Sequence, residues 1–431
     1  MFVLHGKKCT KFLILYCVIM NIFMTILGIP STISYICDAV NLLLLYWVIK
    51  RFNQLLCDTI AKWLSRIFLV LFIYGCINQI INMVPIPMAL WGDRNFYRYY
   101  ILFFAVLLYI SVSDIQEIMN IFYWIQIINL VYGLYKFLIL GLQEDAFGGG
   151  LFPNGGGMNL FCLLVSLYYT NAYINKTGSF FRMFIMILSS FILAVFAEEK
   201  FLMLGEVLVL ILSLIINNKF TIRKIVILGV GIIVVILGLQ ILKKAIPSTY
   251  ELLFNFSELT DYATATYSEG YRIPRIGAFK VIDDLFLHTG LQRWIGLGLG
   301  NCDTSNFSFL QSDFYRQYGD YNYRWFTHQW TYLEMGRIGF FLYIMFFVTI
   351  IIILSLYIKK ASGIHRVFIQ TSLIYSIVTI MFVWHSAATR VDTGYYIYFG
   401  IAMGLVSIKN MTNGNDTLIG PLKNSYISEV N

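Results

Sequence analysis

"MFVLHGKKCTKFLILYCVIMNIFMTILGIPS", residues 1–31, sets three lysines and a histidine ahead of a long apolar run. A basic head followed by an apolar run opens a secretory signal, and it equally opens a first membrane span. What comes next decides between them. Further apolar runs follow one another along the chain, many near the roughly 20 residues that a helix needs to cross about 30 Å of hydrocarbon. The first run therefore reads as an uncleaved span, and the expected fold is all-α: a polytopic membrane protein of about twelve transmembrane helices with one large extracytoplasmic loop.

Composition supports this. Of 431 residues, 59% are hydrophobic, 17% aromatic and only 13% charged, where a soluble domain carries about a quarter charged residues. The mean hydropathy is +0.73. With only 7 prolines, long uninterrupted helices are favoured over a barrel. Six of the seven cysteines lie in or beside apolar runs and Cys302 stands alone in a polar segment, so no disulfide framework or metal spacing is visible, and no cofactor is expected.

Apolar runs bounded by charges or turn residues place spans near 12–29, 32–49, 66–84, 98–113, 117–140, 157–174, 181–197, 200–216, 224–242, 339–358, 366–384 and 391–408. The formal charge of +8 invites a nucleic-acid reading, but the basic residues fall mostly in short clusters between the spans, where they set topology. Alternate connections and tails hold 17 Lys and Arg, whereas the intervening short ones hold only Arg94, Arg98, Lys136, Lys200 and Arg390. Both termini are thus expected in the cytoplasm. Nine more basic residues sit in 243–338, a segment long enough to be exempt from the charge rule and rich enough in aromatics to fold as a cap. The expected organisation is a bundle over 1–242, a helical cap over 243–338, three helices over 339–408 and a cytoplasmic tail over 409–431.

Several polar constellations fall on the outer side. In "GYRIPRIGAFKVIDDLFLH" (270–288), Pro274 predicts a helix start, with Arg272 just before it and Arg275 in its first turn. Cations oppose the helix dipole there unless an anion such as phosphate sits between them; the alternative is a pair of arginines reaching for lipid headgroups. "RWIGLGLGNC" (293–302) has the look of a phosphate-gripping loop but lacks the G-x-G-x-x-G spacing, and reads better as a tight turn packed under the cap. "RWFTHQWTYLEMGRIGFF" (324–341) places His328 at the outer surface, where an imidazole can accept a proton, in the company of Arg324, Glu334 and Arg337. Its aromatics form either an interfacial belt or a sugar-stacking surface. "FAEEKFLMLGE" (196–206) offers Lys200 as a third cation and sets Glu206 about 9 Å deeper, lining a polar cavity or pairing with the lysine. "EDAFGGGLFPNGGGMN" (144–159) has six glycines, suited to close approach or to a flexible connection.

Cations, a candidate base and aromatics collected on one face suit surface chemistry on a lipid-borne substrate better than transport through the midplane. Little nucleotide is available outside the cytoplasm, so a synthetic reaction there needs a donor already activated.

The run of about twelve spans, "GYRIPRIGAF", "WIGLGLGN" and "THQWTYLEMGRIGFFLYI" together resemble the bacterial O-antigen ligase and Wzy-type polysaccharide polymerase superfamily. That family has an arginine opening a loop helix, a glycine turn, and a histidine followed by E-x-G-x-x-G entering the next span. The resemblance implies a metal-independent, inverting membrane glycosyltransferase of the C type in a bacterial plasma membrane. It implies His328 as the base and Arg272, Arg275 and Lys200 as holders of a diphosphate; Glu334, Arg337, Arg324 and Glu206, read from their place in the same constellations, are the candidate supporting residues. The implied partners are an undecaprenyl diphosphate-linked oligosaccharide, the lipid bilayer, a chain-length regulator and a flippase. Ligases of the family show His-Asn where this chain has His328-Gln329, which favours a polymerase of O-antigen, capsule or exopolysaccharide repeat units over a ligase acting on lipid A core. A lipid-linked oligosaccharide transporter is the alternative of another class.

Overall fold

A computed structural model of the protein describes residues 2–142, 144–152, 154–216, 221–245, 250, 251, 255 and 273–412. Among the described residues, twelve helices of 17 residues or more follow the apolar runs in order. They are α1 (Phe2–Leu27), α2 (Tyr35–Cys57), α3 (Ala61–Ile81), α4 (Ile86–Tyr109), α5 (Val112–Leu138), α6 (Gly155–Ile174), α7 (Phe180–Phe196), α8 (Lys200–Ile216), α9 (Ile222–Ala245), α10 (Thr327–Tyr357), α11 (Gly363–His385) and α12 (Gly394–Thr412). No strand occurs among the described residues; the only bridge there joins Gly149 to Phe152. Seven of the helices, α1–α3, α5 and α9–α11, are long and apolar enough to cross a membrane. The chain is a membrane-embedded helical bundle.

Local chemistry explains how the chain reverses so sharply. Between α4 and α5 only Ile110 and Ser111 intervene, and Ser111 forms a reciprocal capping box with Asp114 that satisfies donors at the new helix start. Between α7 and α8 the turn is Ala197–Glu199, with Glu198 in the left-handed region (φ 51°). Burial is greatest along α6 and α12, which other helices surround. Polar side chains join these central helices: Asn171 donates to Thr371 Oγ1 (3.1 Å), Ser372 to the Gly400 carbonyl (2.8 Å) and Tyr375 to the Leu160 carbonyl (3.0 Å). In lipid such bonds hold helices together where no hydrophobic force distinguishes neighbour from solvent.

Successive connections alternate between the two ends of the bundle. At one end Lys7 and Lys11 meet Asp114, and Lys409 meets Asp58. The other end carries the long loop. Its described part, 273–326, forms the short helices Ala278–Leu285, Gly290–Ile295 and Asp313–Tyr318 around Ile282, Phe286, Leu287 and Tyr323, against Trp330 and Leu333 of α10. Its glycine turn inserts between α3, α4 and α10: Leu299 N donates to Asn78 Oδ1 (2.7 Å), Gly300 N to Glu334 Oε1 (3.0 Å), and Trp91 Nε1 to the Thr304 carbonyl (2.8 Å).

Three boundaries differ from the sequence expectation. α10 begins at Thr327, twelve residues before the expected span, because the polar side chains of its first turns are satisfied by the loop and by Arg390 between α11 and α12, and so sustain a helix outside the apolar run. It kinks at Gly336 (φ 62°, ψ −164°), where a Cβ would lie 2.4 Å from the Trp294 carbonyl oxygen. α4 starts at Ile86, so Arg98 lies inside the helix and not at its end. The loop helix starts at Ala278 behind a left-handed Gly277 (φ 81°), which leaves Pro274 and Arg275 in a non-helical strap before it.

Candidate active site

The first turn of α10 carries His328 and Gln329, both buried, and both hold the 273–275 strap. Gln329 Nε2 donates to the carbonyls of Ile273 (3.3 Å) and Pro274 (3.0 Å). His328 places Nε2 at 3.1 Å from the Arg275 carbonyl and Nδ1 at 3.2 Å from the Val383 carbonyl. A neutral imidazole has one N–H, so it can donate to only one of these two oxygens. In one tautomer Nε2–H donates to Arg275 and holds the strap; in the other Nδ1–H donates to Val383, and the Nε2 lone pair, which the Arg275 oxygen cannot satisfy, accepts a proton once the strap moves aside.

The C-terminal end of α11 joins this histidine to a second group of charges. Val383 contacts His328, and two residues later His385 Nε2 lies 4.0 Å from Glu199 Oε2 and its ring stacks on Phe201 at 4.4 Å. Asn159 Nδ2 donates to Glu199 Oε2 (2.8 Å), and Thr327 donates to the Ser386 carbonyl through its amide (3.2 Å) and hydroxyl (3.0 Å). Asn154 caps α6 by accepting from Gly157 N (2.7 Å), and the glycines that follow let other chains come close. A Cβ on Gly155 would sit 1.5 Å from Glu199 Oε1. Close approach, and not a flexible connection, is what this glycine run supplies.

Lys200 opens α8 directly after Glu199. Arg275 stacks its guanidinium on Phe326 (5.1 Å) and is near enough to His385 to interact with it electrostatically. Arg275 and Lys200 thus flank the same end of α11 as His328. Arg272 lies outside the described residues.

The remaining sequence candidates have other surroundings. Glu334 is fully buried in an ion pair with Arg390 (2.7 Å) and accepts from Gly300 N, so it fastens the glycine turn. Arg324 pairs with buried Asp303 (3.2 Å) and covers the Trp330 ring at 4.3 Å. Glu206 accepts from Ser166 Oγ at 2.8 Å on both carboxylate oxygens, facing α6. Arg337 pairs with Asp283 (2.9 Å) and bonds the Tyr332 hydroxyl (3.3 Å). It lines a cleft of about 650 Å³ with Lys280, Asp284, Arg293, Phe340 and Trp384. The cleft is next to the histidine, since Trp384 stacks at 5.8 Å from the His328 ring and Phe279, another wall residue, lies 5.9 Å away.

Sequence reasoning did not single out Glu199, His385 or Trp384 as site residues. A signal was present in "WHSAATRVDTG" (384–394), a connection between two apolar helices that carries three ionisable side chains. No family model matches the chain, and no curated protein matches it.

Proposed function

We propose that this protein is a polysaccharide polymerase of a bacterial plasma membrane. It transfers glycan repeat units from an undecaprenyl diphosphate-linked donor to a second lipid-linked acceptor. In this reading the twelve long helices all span the membrane, both termini are cytoplasmic and the loop end faces outward. The observation that carries the proposal is the meeting, at the end of α11, of His328 on α10, Arg275 on the loop and Glu199 on the α7–α8 turn, with Lys200 next to it at the start of α8. A cleft with three cations, two carboxylates and an aromatic wall adjoins them.

The reaction needs no metal. The acceptor hydroxyl oxygen attacks the anomeric carbon as the bond from that carbon to the diphosphate oxygen breaks, inverting the centre. His328 Nε2 takes the hydroxyl proton, with Nδ1–H held by the Val383 carbonyl to keep that tautomer. The bond pair leaves with the diphosphate, whose charge Arg275 and Lys200 neutralise; Arg is suited to this by its planar fork of donors. Because the Arg275 carbonyl sits 3.1 Å from Nε2, the entering hydroxyl must displace the strap to reach the base.

His328→Ala in cells that depend on this protein for a surface glycan tests the proposal. Loss of long chains with single lipid-linked repeats retained supports the polymerase. Accumulation of finished lipid-linked polymer assigns a ligase, and purified protein that moves lipid-linked glycan across liposomes without extending it assigns a transporter. Unchanged glycan length removes the base assignment.

A further inference from the structure

Away from His328, α2, α3 and α4 enclose a groove of about 570 Å³. Its floor is apolar, built from side chains such as Leu45, Val48, Phe52, Phe68, Ile101 and Phe104, and its head carries Asp38, Asn41, Asp93, Arg94 and Arg98. From Asp38 to Phe52 it runs fourteen residues of α2, about 21 Å at 1.5 Å per residue. That is one leaflet's share of a hydrocarbon core of about 30 Å with a headgroup above it. At roughly 30 Å³ per methylene-sized group, the volume of a water molecule, it accommodates about nineteen such groups: one fatty-acyl chain, far short of an undecaprenyl chain.

The head charges are not all matched within the protein. Arg94 and Asp38 satisfy each other (Nε to Oδ1, 2.9 Å). Arg98, only 5% exposed, reaches Asp392 with Nη1 (2.9 Å), but its Nε and the nearby Asn41 Oδ1 are buried with no hydrogen-bond partner among the described residues. Asp93 accepts from the Gln79 amide (2.9 Å) and forms no ion pair among the described residues. Arg98 also lies 3.7 Å from Asp38, so its charge is paired and only its Nε–H is unsatisfied; that N–H and a carboxylate without an ion pair among the described residues face one groove. Their order matters: on α4, Asp93 lies toward the loop end, Arg98 about 7.5 Å deeper at 1.5 Å per residue, and the apolar floor deeper still.

We propose that this groove is a binding site for a zwitterionic aminophospholipid. Its ammonium pairs with Asp93, its phosphate accepts from Arg98 Nε, and one acyl chain lies along α2 and α4. An anionic phospholipid would offer an acceptor to Arg98 Nε but leave Asp93 facing a headgroup with no cation. The ordering ammonium, phosphate, chain from the surface inward is that of phosphatidylethanolamine in a leaflet. The site is independent of the proposed reaction, and its test does not use activity.

The full-length protein, purified in mild detergent and stripped of lipid, is titrated with phosphatidylethanolamine, phosphatidylglycerol and undecaprenyl phosphate and read by native mass spectrometry. One phosphatidylethanolamine is expected to bind at least about tenfold more tightly than phosphatidylglycerol, the scale of one charge-assisted hydrogen bond. Asp93→Asn should reduce that ratio to near one, and Leu45→Trp, which fills the chain groove, should remove the adduct for every headgroup. Equal affinities in the unmodified protein overturn the proposal, as does preferred binding of undecaprenyl phosphate. Should Asp93→Asn fail to fold, an adduct undiminished in Leu45→Trp overturns it by itself.

Discussion

Removing either member of the Glu334–Arg390 pair is expected to be the most destabilising conservative change near the loop. Both side chains are essentially inaccessible (0% and 1%), with Oε2 at 2.7 Å from Nη2. Glu334 Oε1 accepts from Gly300 N at 3.0 Å, and the Arg390 guanidinium lies 3.8 Å from the Trp330 ring centre. Glu334→Gln keeps an acceptor for Gly300 but strands a buried guanidinium. Arg390→Met strands a buried carboxylate and also removes the ring contact. Breaking a buried pair by losing one partner costs about 3–5 kcal/mol, and the ring contact adds about 2 kcal/mol in a desolvated site. The double variant carries no unpaired charge, and replacement of a whole buried pair by neutral groups is often close to neutral, so it should be more stable than Arg390→Met alone. Equilibrium unfolding in mixed micelles, followed by tryptophan fluorescence, measures the cycle, with Trp330 as a local reporter. Single-variant losses that simply add in the double variant, to within about 0.5 kcal/mol, would refute the idea that the two charges exist for each other.

His328→Ala should abolish chain extension without lowering protein abundance, as read from glycan ladders and immunoblots of the same cells. Gln329→Leu removes two bonds to the strap, each worth about 1 kcal/mol; amide exchange at residues 275–277 should accelerate by up to about 30-fold while that of α6 stays unchanged. Gly155→Ala should push the end of Glu199 off His385, lowering activity much more than thermal stability, because the displaced atom is the tip of a flexible side chain. Burial pushes the Cys302 thiol well above its ordinary range, whereas Cys57 is exposed, so a maleimide at pH 8 should modify Cys57 rapidly and Cys302 only after unfolding. A membrane-impermeant maleimide should label Ser308→Cys in intact cells and Cys57 only after permeabilisation; the reverse pattern would invert the proposed topology.

Much of the fold was legible because the apolar runs are a one-dimensional signal: each run became one long helix. Boundaries were less legible where polar sequence is helical for tertiary reasons. Residues 327–338 look like loop, yet Gln329, Glu334 and Arg337 each find a partner on the cap or on α12's approach, and the helix extends through them. Arg98 looked like a span end because nothing in the sequence announces Asp38 and Asp392 as its partners, some 60 and 290 residues away in the chain. At the candidate site His328, Arg275 and Lys200 stood out as ionisable groups beside apolar runs. Glu199 and His385 did not, because their significance is their mutual proximity, which arises only when α8 packs on α11. Gln329 was read as a departure from a motif, whereas its amide has a mechanical task in holding the strap.

That strap has a further consequence for an enzyme of the proposed kind. An activated glycosyl diphosphate at an aqueous surface is surrounded by a nucleophile at enormous excess, and any permanently available base would squander the donor by hydrolysis. The strap, held over Nε2 by two bonds from Gln329, is not kept open by a solitary solvent molecule, whereas a saccharide that fills the neighbouring cleft brings enough contact to dislodge the obstruction. Fidelity for sugar over solvent would then reside in a few residues of main chain, and loosening them should raise wasteful donor turnover before it diminishes polymer synthesis.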